Sequence, residues 1–281
     1  MKDINEILNQ LTDYMQTNEN YSITTQKKYT SIIKLFLLRH GFSFTVNDIN
    51  LFLTKHSSYI YKYAFKSFLN SIGKSNLYYK IKSVKRKPRK KIFNHIPKVT
   101  MQQILNIMPS KFRYMALVQL KTGCRFIEVA TIRAENIDFD IHEELVYIKL
   151  GMGLSKTKGN KTRSVRLHKK YEPLLRSLCK KPFGYVFLDD SFNKYDKEQI
   201  YTKLETFKRN YNRELTSAGL KFGIEHFSSH YLRHLFADEF MMAGGTVESL
   251  KLVMGHSKVD TTLDYVSVGD KFADRIIEQM S

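Results

Sequence analysis

Residues 82–91, KSVKRKPRKK, place seven basic side chains in ten positions, and no nearby acid neutralises them. Between Asp48 and Glu128 there is no carboxylate at all, while 17 lysines and arginines occur. Such density disfavours burial, and Pro88 and Pro97 disfavour a continuous helix. Residues 82–98 therefore read as a basic interdomain linker between a first domain at 1–81 and a second at 99–281. A flexible connector and a strap lying along phosphates fit this composition equally. The acid-free stretch extends into both flanking domains, so it must create a strong positive field over folded structure. That field suits a polyanion, bound in a salt-dependent way through counterion release. The formal net charge of +19 has the same sign. No large apolar face or lipidation signal accompanies it, so nucleic acid is favoured over a membrane surface.

With 281 residues, 42% of them hydrophobic, the chain can bury two modest cores. No apolar run approaches bilayer length, and the start, MKDINEILNQ, lacks a signal-peptide pattern. Cys124 and Cys179 form no metal or redox motif, so reduced, buried thiols are expected. A cytoplasmic protein is the expectation.

Apolar spacing predicts four short helices before the linker. Ile4, Ile7, Leu8, Leu11, Tyr14 and Met15 mark the first, and Tyr29, Ile32, Ile33, Phe36 and Leu37 the second, with Thr24 or Thr25 as N-cap. A third covers Asp48–Leu53 with Asn47 as cap, and Tyr61, Phe65, Phe68, Leu69 and Ile72 mark the fourth. The aromatic stripe reads as core, with Lys27, Lys28, Lys62 and Lys66 on exposed faces as candidate nucleic-acid contacts. In the second domain, Thr100 caps a helix through Met108, and helices follow around Phe112–Lys121 and Ile127–Ile132. Leu145–Leu150 and Arg163–Leu167 alternate like antiparallel strands joined by a Gly- and Lys-rich loop. Helices resume near Tyr171–Cys179, Lys197–Ser217, Ser229–Met242 and Val247–Val253. The fold class is mainly α with one small antiparallel β-sheet.

Six reactive side chains are spread over 141 residues of this second domain: Arg125, Lys158, His230, Arg233, His256 and Tyr265. Their contexts are TGCRFIE, TKGNKTR, SHYLRH and MGHSKVDTTLDY. A phosphodiester resists attack until its nonbridging oxygens are neutralised, which suits the planar, permanently charged guanidinium. Arg125 follows the helix-ending pair Thr122-Gly123; a surface pair with Glu128 is its plainer role, and such a carboxylate could also orient it. Arg233 lies one helical turn from His230, and together the arginines could stabilise charge building on phosphorus. Lys158 is a candidate general acid, with Lys156 and Lys161 as rivals that could contact phosphates. A free phenol has a pKa of about 10, so Tyr265 needs activation, and His230 could take its proton. His256, after Gly255, could hydrogen-bond a phosphate oxygen. Most of the 17 tyrosines must be structural, and Tyr231 points away from His230 toward packing. His226, His230 and His234 have zinc-like spacing, but His226 precedes the cap at Ser228 or Ser229, and a metal leaves the arginines and basic linker unexplained. His234 reads as structural. No metal or other cofactor is expected.

On these motifs the chain resembles the tyrosine recombinases, the family of phage-type integrases and Xer-type resolvases. The resemblance covers about Val99 to Tyr265 and, more loosely, the helical segment before it. It implies that Arg125 is the first catalytic arginine, Glu128 the supporting acid, Lys158 the hairpin lysine, His230 and Arg233 the His-x-x-Arg pair, His256 the second histidine and Tyr265 the nucleophile. Cys124 in place of an aliphatic residue and Met254 in place of leucine are departures that remove no reactive group. The first domain resembles the family's core-binding domain. Lys85, Arg86, Lys87, Arg89, Lys90 and Lys91 of the linker, with Lys156 and Lys161, are expected to contact DNA.

The resemblance further implies a site-specific recombinase working through a 3′-phosphotyrosine and a Holliday junction. Its expected partners are paired inverted DNA sites and a self-assembled tetramer built through the C-terminal helix. Phe272, Ile276, Ile277 and Met280 give that helix an apolar face, which could instead complete its own core. About 95 residues precede the catalytic domain, so no additional arm-binding domain is expected. A type IB topoisomerase-like enzyme and a catalytically inactive DNA-binding regulator are the alternatives, with a metal hydrolase behind them.

Overall fold

The structure, a computed structural model, describes residues 3–56, 58–82, 96–151, 162–195 and 197–256. The chain divides into two compact units, Met1–Lys90 and Lys91–Ser281.

The first unit is helical: α1 (Ile4–Thr17), α2 (Ile23–His40), α3 (Val46–Lys55) and α4 (Tyr59–Ser71), followed by a 3-10 turn over Ser75–Lys80. Each of the four predicted helices is present, but two begin earlier than predicted. Ser22, not Thr24 or Thr25, caps α2 by accepting from the Thr25 N–H. Thr45, not Asn47, caps α3 in a reciprocal box with Asp48. The aromatic stripe packs inward, with Phe36 meeting Phe44, Phe52 and Phe65 edge-on at centroid distances of 5.4, 5.3 and 4.8 Å. Burying one such ring contributes roughly 1.5–3 kcal/mol, so this cluster with Leu11, Ile33 and Leu69 holds the bundle. Lys27, Lys28 and Lys66 are exposed, and Lys62 is half-buried. Lys62 and Lys66 both place their ammonium near the Tyr78 ring, at 5.5 and 5.9 Å. Ile81 closes this core. The linker candidates Lys85, Arg86, Lys87, Arg89, Lys90 and Lys91 lie outside the described residues.

The second unit runs α5 (Lys98–Asn106), α6 (Ser110–Thr122), α7 (Phe126–Ala130), β1 (Ile137–Asp138), β2 (Leu145–Leu150), β3 (Arg163–His168), α8 (Glu172–Leu178), α9 (Lys197–Leu220), α10 (Ser229–Met242) and α11 (Val247–Met254). Pro97, rather than Thr100, precedes α5, which suits a residue whose missing N–H costs a helix start nothing. The sheet is antiparallel in the order β1-β2-β3, and β1 was not predicted. Val146 faces Leu167 and Ile148 faces Val165 across β2 and β3. These residues are buried while the alternate positions Lys149, Ser164 and Arg166 are exposed and Tyr147 is half-buried, the alternation of a sheet with one covered face. Helix α6 runs through the core, and Lys121 ties it to Glu239 of α10 at 2.7 Å. No helix among the described residues is long and apolar enough to cross a membrane.

Candidate active site

Helix α6 stops at Gly123, whose backbone is left-handed at φ +64. Only glycine fits, because a Cβ would lie 2.3 Å from Phe236 Cδ1. The next residue, Cys124, is fully buried. Burial first, and Glu128 second, push its thiol up to about 11, so it offers no thiolate. Buried Gln119 donates to the Cys124 carbonyl at 2.9 Å and accepts from the Tyr211 hydroxyl at 3.0 Å. Helices α6 and α9 thus fix the turn that presents Arg125.

Arg125 occupies the N-cap of α7. Its backbone N–H donates to Glu128 Oε2 at 2.7 Å, and its Nη1 donates to Oε1 at 3.1 Å. Glu128 is fully buried, and Arg163 donates from Nη2 to the same Oε2 at 2.7 Å. Burial alone raises the Glu128 pKa. Arg163 and then Arg125 outweigh it, holding the carboxyl below its ordinary value. The Arg125 side chain is 40% exposed, so it can meet an anion while Glu128 holds it.

Helix α10 is set by α9, because Asn212 accepts from the Ser229 N–H at 2.8 Å. The cap is Ser228. His230, in the first turn, is exposed, its ring 4.9 Å from that of buried His234 and perpendicular to it. One turn on, Arg233 is 2% exposed. It donates from Nη1 to the Gly123 carbonyl, and from Nη2 to the Met254 carbonyl at 2.8 Å and to His256 Nε2 at 2.7 Å. A guanidinium cannot accept, so Nε2 accepts and the His256 proton sits on Nδ1.

Gly255 ends α11 in the left-handed conformation at φ +66, and its carbonyl accepts from Arg125 Nη2 at 3.1 Å. A Cβ there would lie 2.8 Å from the Arg163 side chain. Glycine at 255 is therefore a geometric requirement. Burial, then Arg233, Arg125 and Arg163, push His256 down to about 4, which keeps the imidazole neutral at pH 7.

The local pair Arg125–Glu128 and the distant pair Arg233–His256 are thus joined in one network through the Gly123 and Gly255 carbonyls, with His230 a turn from Arg233. Lys158 and Tyr265, with Lys156, Lys161 and the C-terminal helix, lie outside the described residues. Sequence reasoning misses Arg163, which ends the TKGNKTR span and reads there only as the start of a strand. Among the described residues no three His, Cys, Asp or Glu side chains are grouped to hold a metal ion. His226 stands before the α10 cap at φ +57. Tyr231 is buried edge-on against Phe227 at 5.5 Å. Two guanidiniums, Arg125 and Arg163, share the one carboxylate, and a third, Arg233, sits against His256, an excess of positive charge suited to an oxyanion.

A model of the phage integrase family matches residues 94–271. This chain belongs to that family. As a phage integrase family member it is a tyrosine recombinase by descent, and its mainly helical fold with a small sheet is that of its structural neighbours. It is 24% identical over 285 residues to the tyrosine recombinase XerA of Pyrococcus furiosus, covering 98% of this chain and 93% of XerA. It is 27% identical over 158 residues to the integrase of Escherichia phage P2, covering 56% of this chain and 38% of that protein. Among solved structures it is similar to a XerH site-specific recombinase bound to palindromic difH substrate. That match has a TM-score of 0.68 at 16% identity and covers 99% of this chain and 89% of the other. It is also similar to the Tn1549 transposon integrase in complex with transposon right end DNA, with a TM-score of 0.64 at 13% identity, covering 97% and 98%.

Proposed function

We propose that this family member is a site-specific DNA recombinase that cuts and rejoins strands through a covalent link between Tyr265 and a 3′-phosphate. The observation that carries this reading is the Arg125–Glu128–Arg233–His256 network, with a half-exposed guanidinium on a buried carboxylate. Its sequence frame, the family match over 94–271, also contains Lys158, His230 and Tyr265.

In this mechanism Arg125 binds the nonbridging oxygens of the scissile phosphate, and Arg233 adds positive charge while fixing His256. Neutral His256 contributes a hydrogen bond to a phosphate oxygen. The Tyr265 hydroxyl attacks phosphorus as His230 takes its proton. The bond to the 5′-oxygen breaks, and the leaving oxygen carries its electron pair and receives a proton from Lys158. The phosphoester is conserved in the protein link, so a 5′-hydroxyl from another strand reverses the step without ATP or metal. Two successive exchanges within a tetramer on paired inverted sites pass through a Holliday junction.

The test is strand exchange between labelled duplexes carrying the DNA segment that the protein protects from nuclease, with chelator present and nucleotide absent. Recombinant products with a covalent intermediate are expected. Relaxation of supercoils by a monomer without site preference would instead make the chain topoisomerase-like, and binding without any adduct would make it a regulator.

Two outcomes follow for parts that carry charge and assembly. Neutralising Lys85, Arg86, Lys87 and Arg89 should weaken binding to every DNA sequence. It should also flatten the salt dependence by roughly 0.9 in log–log slope for each phosphate that these side chains no longer neutralise. Site preference should change less, because phosphate contacts carry little sequence information. An unchanged slope in a filter or anisotropy titration would make the linker a spectator. Truncation after Gly269 should leave a protein that binds one site but neither assembles cooperatively nor recombines, because the C-terminal helix is donated to a neighbour. Normal tetramers by sedimentation and normal exchange would rule that out.

A further inference from the structure

We infer that Arg163 is a positioning residue for strand cleavage, holding Glu128 and the Gly255–His256 turn in one geometry; this rests on the recombinase reading above. Arg163 opens β3 and joins three segments that are distant in sequence. Nη2 donates to Glu128 Oε2 at 2.7 Å. Nη1 donates to the Val253 carbonyl at the end of α11. Its aliphatic stem and Nε lie so close to Gly255 that no Cβ fits between them. The side chain is 13% exposed and both terminal nitrogens face inward partners, so it is not a third phosphate ligand.

The consequence reaches Arg125 and His256 through these contacts. Glu128 must stay ionised to accept from both the Arg125 N–H and its guanidinium. In a buried position it does so because Arg163 supplies the leading opposing charge. The same fork seats the α11 end, whose next residues offer a carbonyl to Arg125 and the imidazole to Arg233. Lysine preserves the charge but cannot fork between a carboxylate and a carbonyl at fixed angles. Groups that orient the ligands of a metal ion typically change activity by about 10–100-fold when removed, and the same scale is expected of a residue that orients a phosphate-binding arginine.

The test compares wild type with Arg163→Lys, Arg163→Gln and the Arg163→Gln/Glu128→Gln pair in single-turnover cleavage of nicked suicide DNA across pH. Cleavage is expected to slow by about 10–100-fold in either single Arg163 variant, with DNA affinity unchanged. In Arg163→Gln the acidic limb of the rate profile should move to higher pH, because Glu128 protonates more readily. The double variant should be no slower than the slower single, as residues acting through one another require. Wild-type rates and an unmoved limb accompanied only by a lower melting temperature would overturn the inference, as would additive losses in the double variant. If Arg163→Gln fails to fold, Arg163→Lys carries the rate comparison. Should wild type itself form no adduct, the recombinase reading fails. The positioning contact is then read by NMR titration of His256 without DNA, whose midpoint should rise in Arg163→Gln, which removes the charge; an unchanged midpoint would overturn it.

Discussion

Replacing Tyr265 with Phe is expected to abolish covalent capture of nicked DNA while leaving DNA binding intact. The substitution removes one hydroxyl and no charge, so the proposed backbone contacts of Arg125 and the basic linker should survive. Loss of the proposed nucleophile should lower cleavage by about 10⁴-fold or more, the scale seen when a covalent catalyst loses its attacking group. A gel assay of adduct formation beside an anisotropy titration separates the two effects. An adduct formed by the Phe variant would move the nucleophile to another of the chain's tyrosines.

Arg233→Ala is expected to damage both the fold and the chemistry. The guanidinium is 2% exposed and serves the carbonyls of Gly123 and Met254 together with His256. Its removal strands two buried carbonyls and the acceptor nitrogen of His256, at a net cost of about 2–4 kcal/mol in stability. It also removes a cation that lowers the His256 pKa, second only to burial. In wild type the folded imidazole titrates at about 4 and the unfolded one near 6.5. The unfolded chain therefore binds the extra proton between those values, and wild-type stability falls as pH drops from about 6.5 to about 4. In Arg233→Ala the His256 midpoint should rise, narrowing that window, while cleavage falls by roughly 10²–10³-fold. Thermal melts across pH with NMR of the histidine ring check both. A variant with wild-type stability and an unmoved His256 would contradict the buried network.

The helices and the β2–β3 pair were legible because their buried faces repeat with the period of the backbone. Helix starts were less so, for a physical reason. Periodicity reports where burial begins, whereas α2 opens on Ile23, which is 65% exposed, and α5 includes Val99, which is 72% exposed. Strand β1 spans only Ile137–Asp138, too short for an alternation to register. The arginine–histidine cluster could be anticipated from residue types at given spacings, and Arg125 with Glu128 is a local pair. The role of Arg163 could not, because its partners lie 35 and 90 positions away and strand alternation marks its position only as an end. The Tyr211–Gln119–Cys124 chain that fixes the Arg125 turn was hidden for the same reason. A buried glutamine in an apolar helix shows no partner until the tertiary fold supplies one.

The central proposal is that the arginine–histidine network binds the scissile phosphate for a tyrosine nucleophile. Its most direct test is peptide mapping of the adduct that wild-type protein forms on a nicked suicide site in the presence of chelator. Protease digestion and mass spectrometry should return a peptide containing Tyr265 linked to a DNA 3′-phosphate, with a free 5′-hydroxyl on the released strand. A phosphate on any other residue, a 5′-linked peptide, or metal-dependent hydrolysis without an adduct would contradict it.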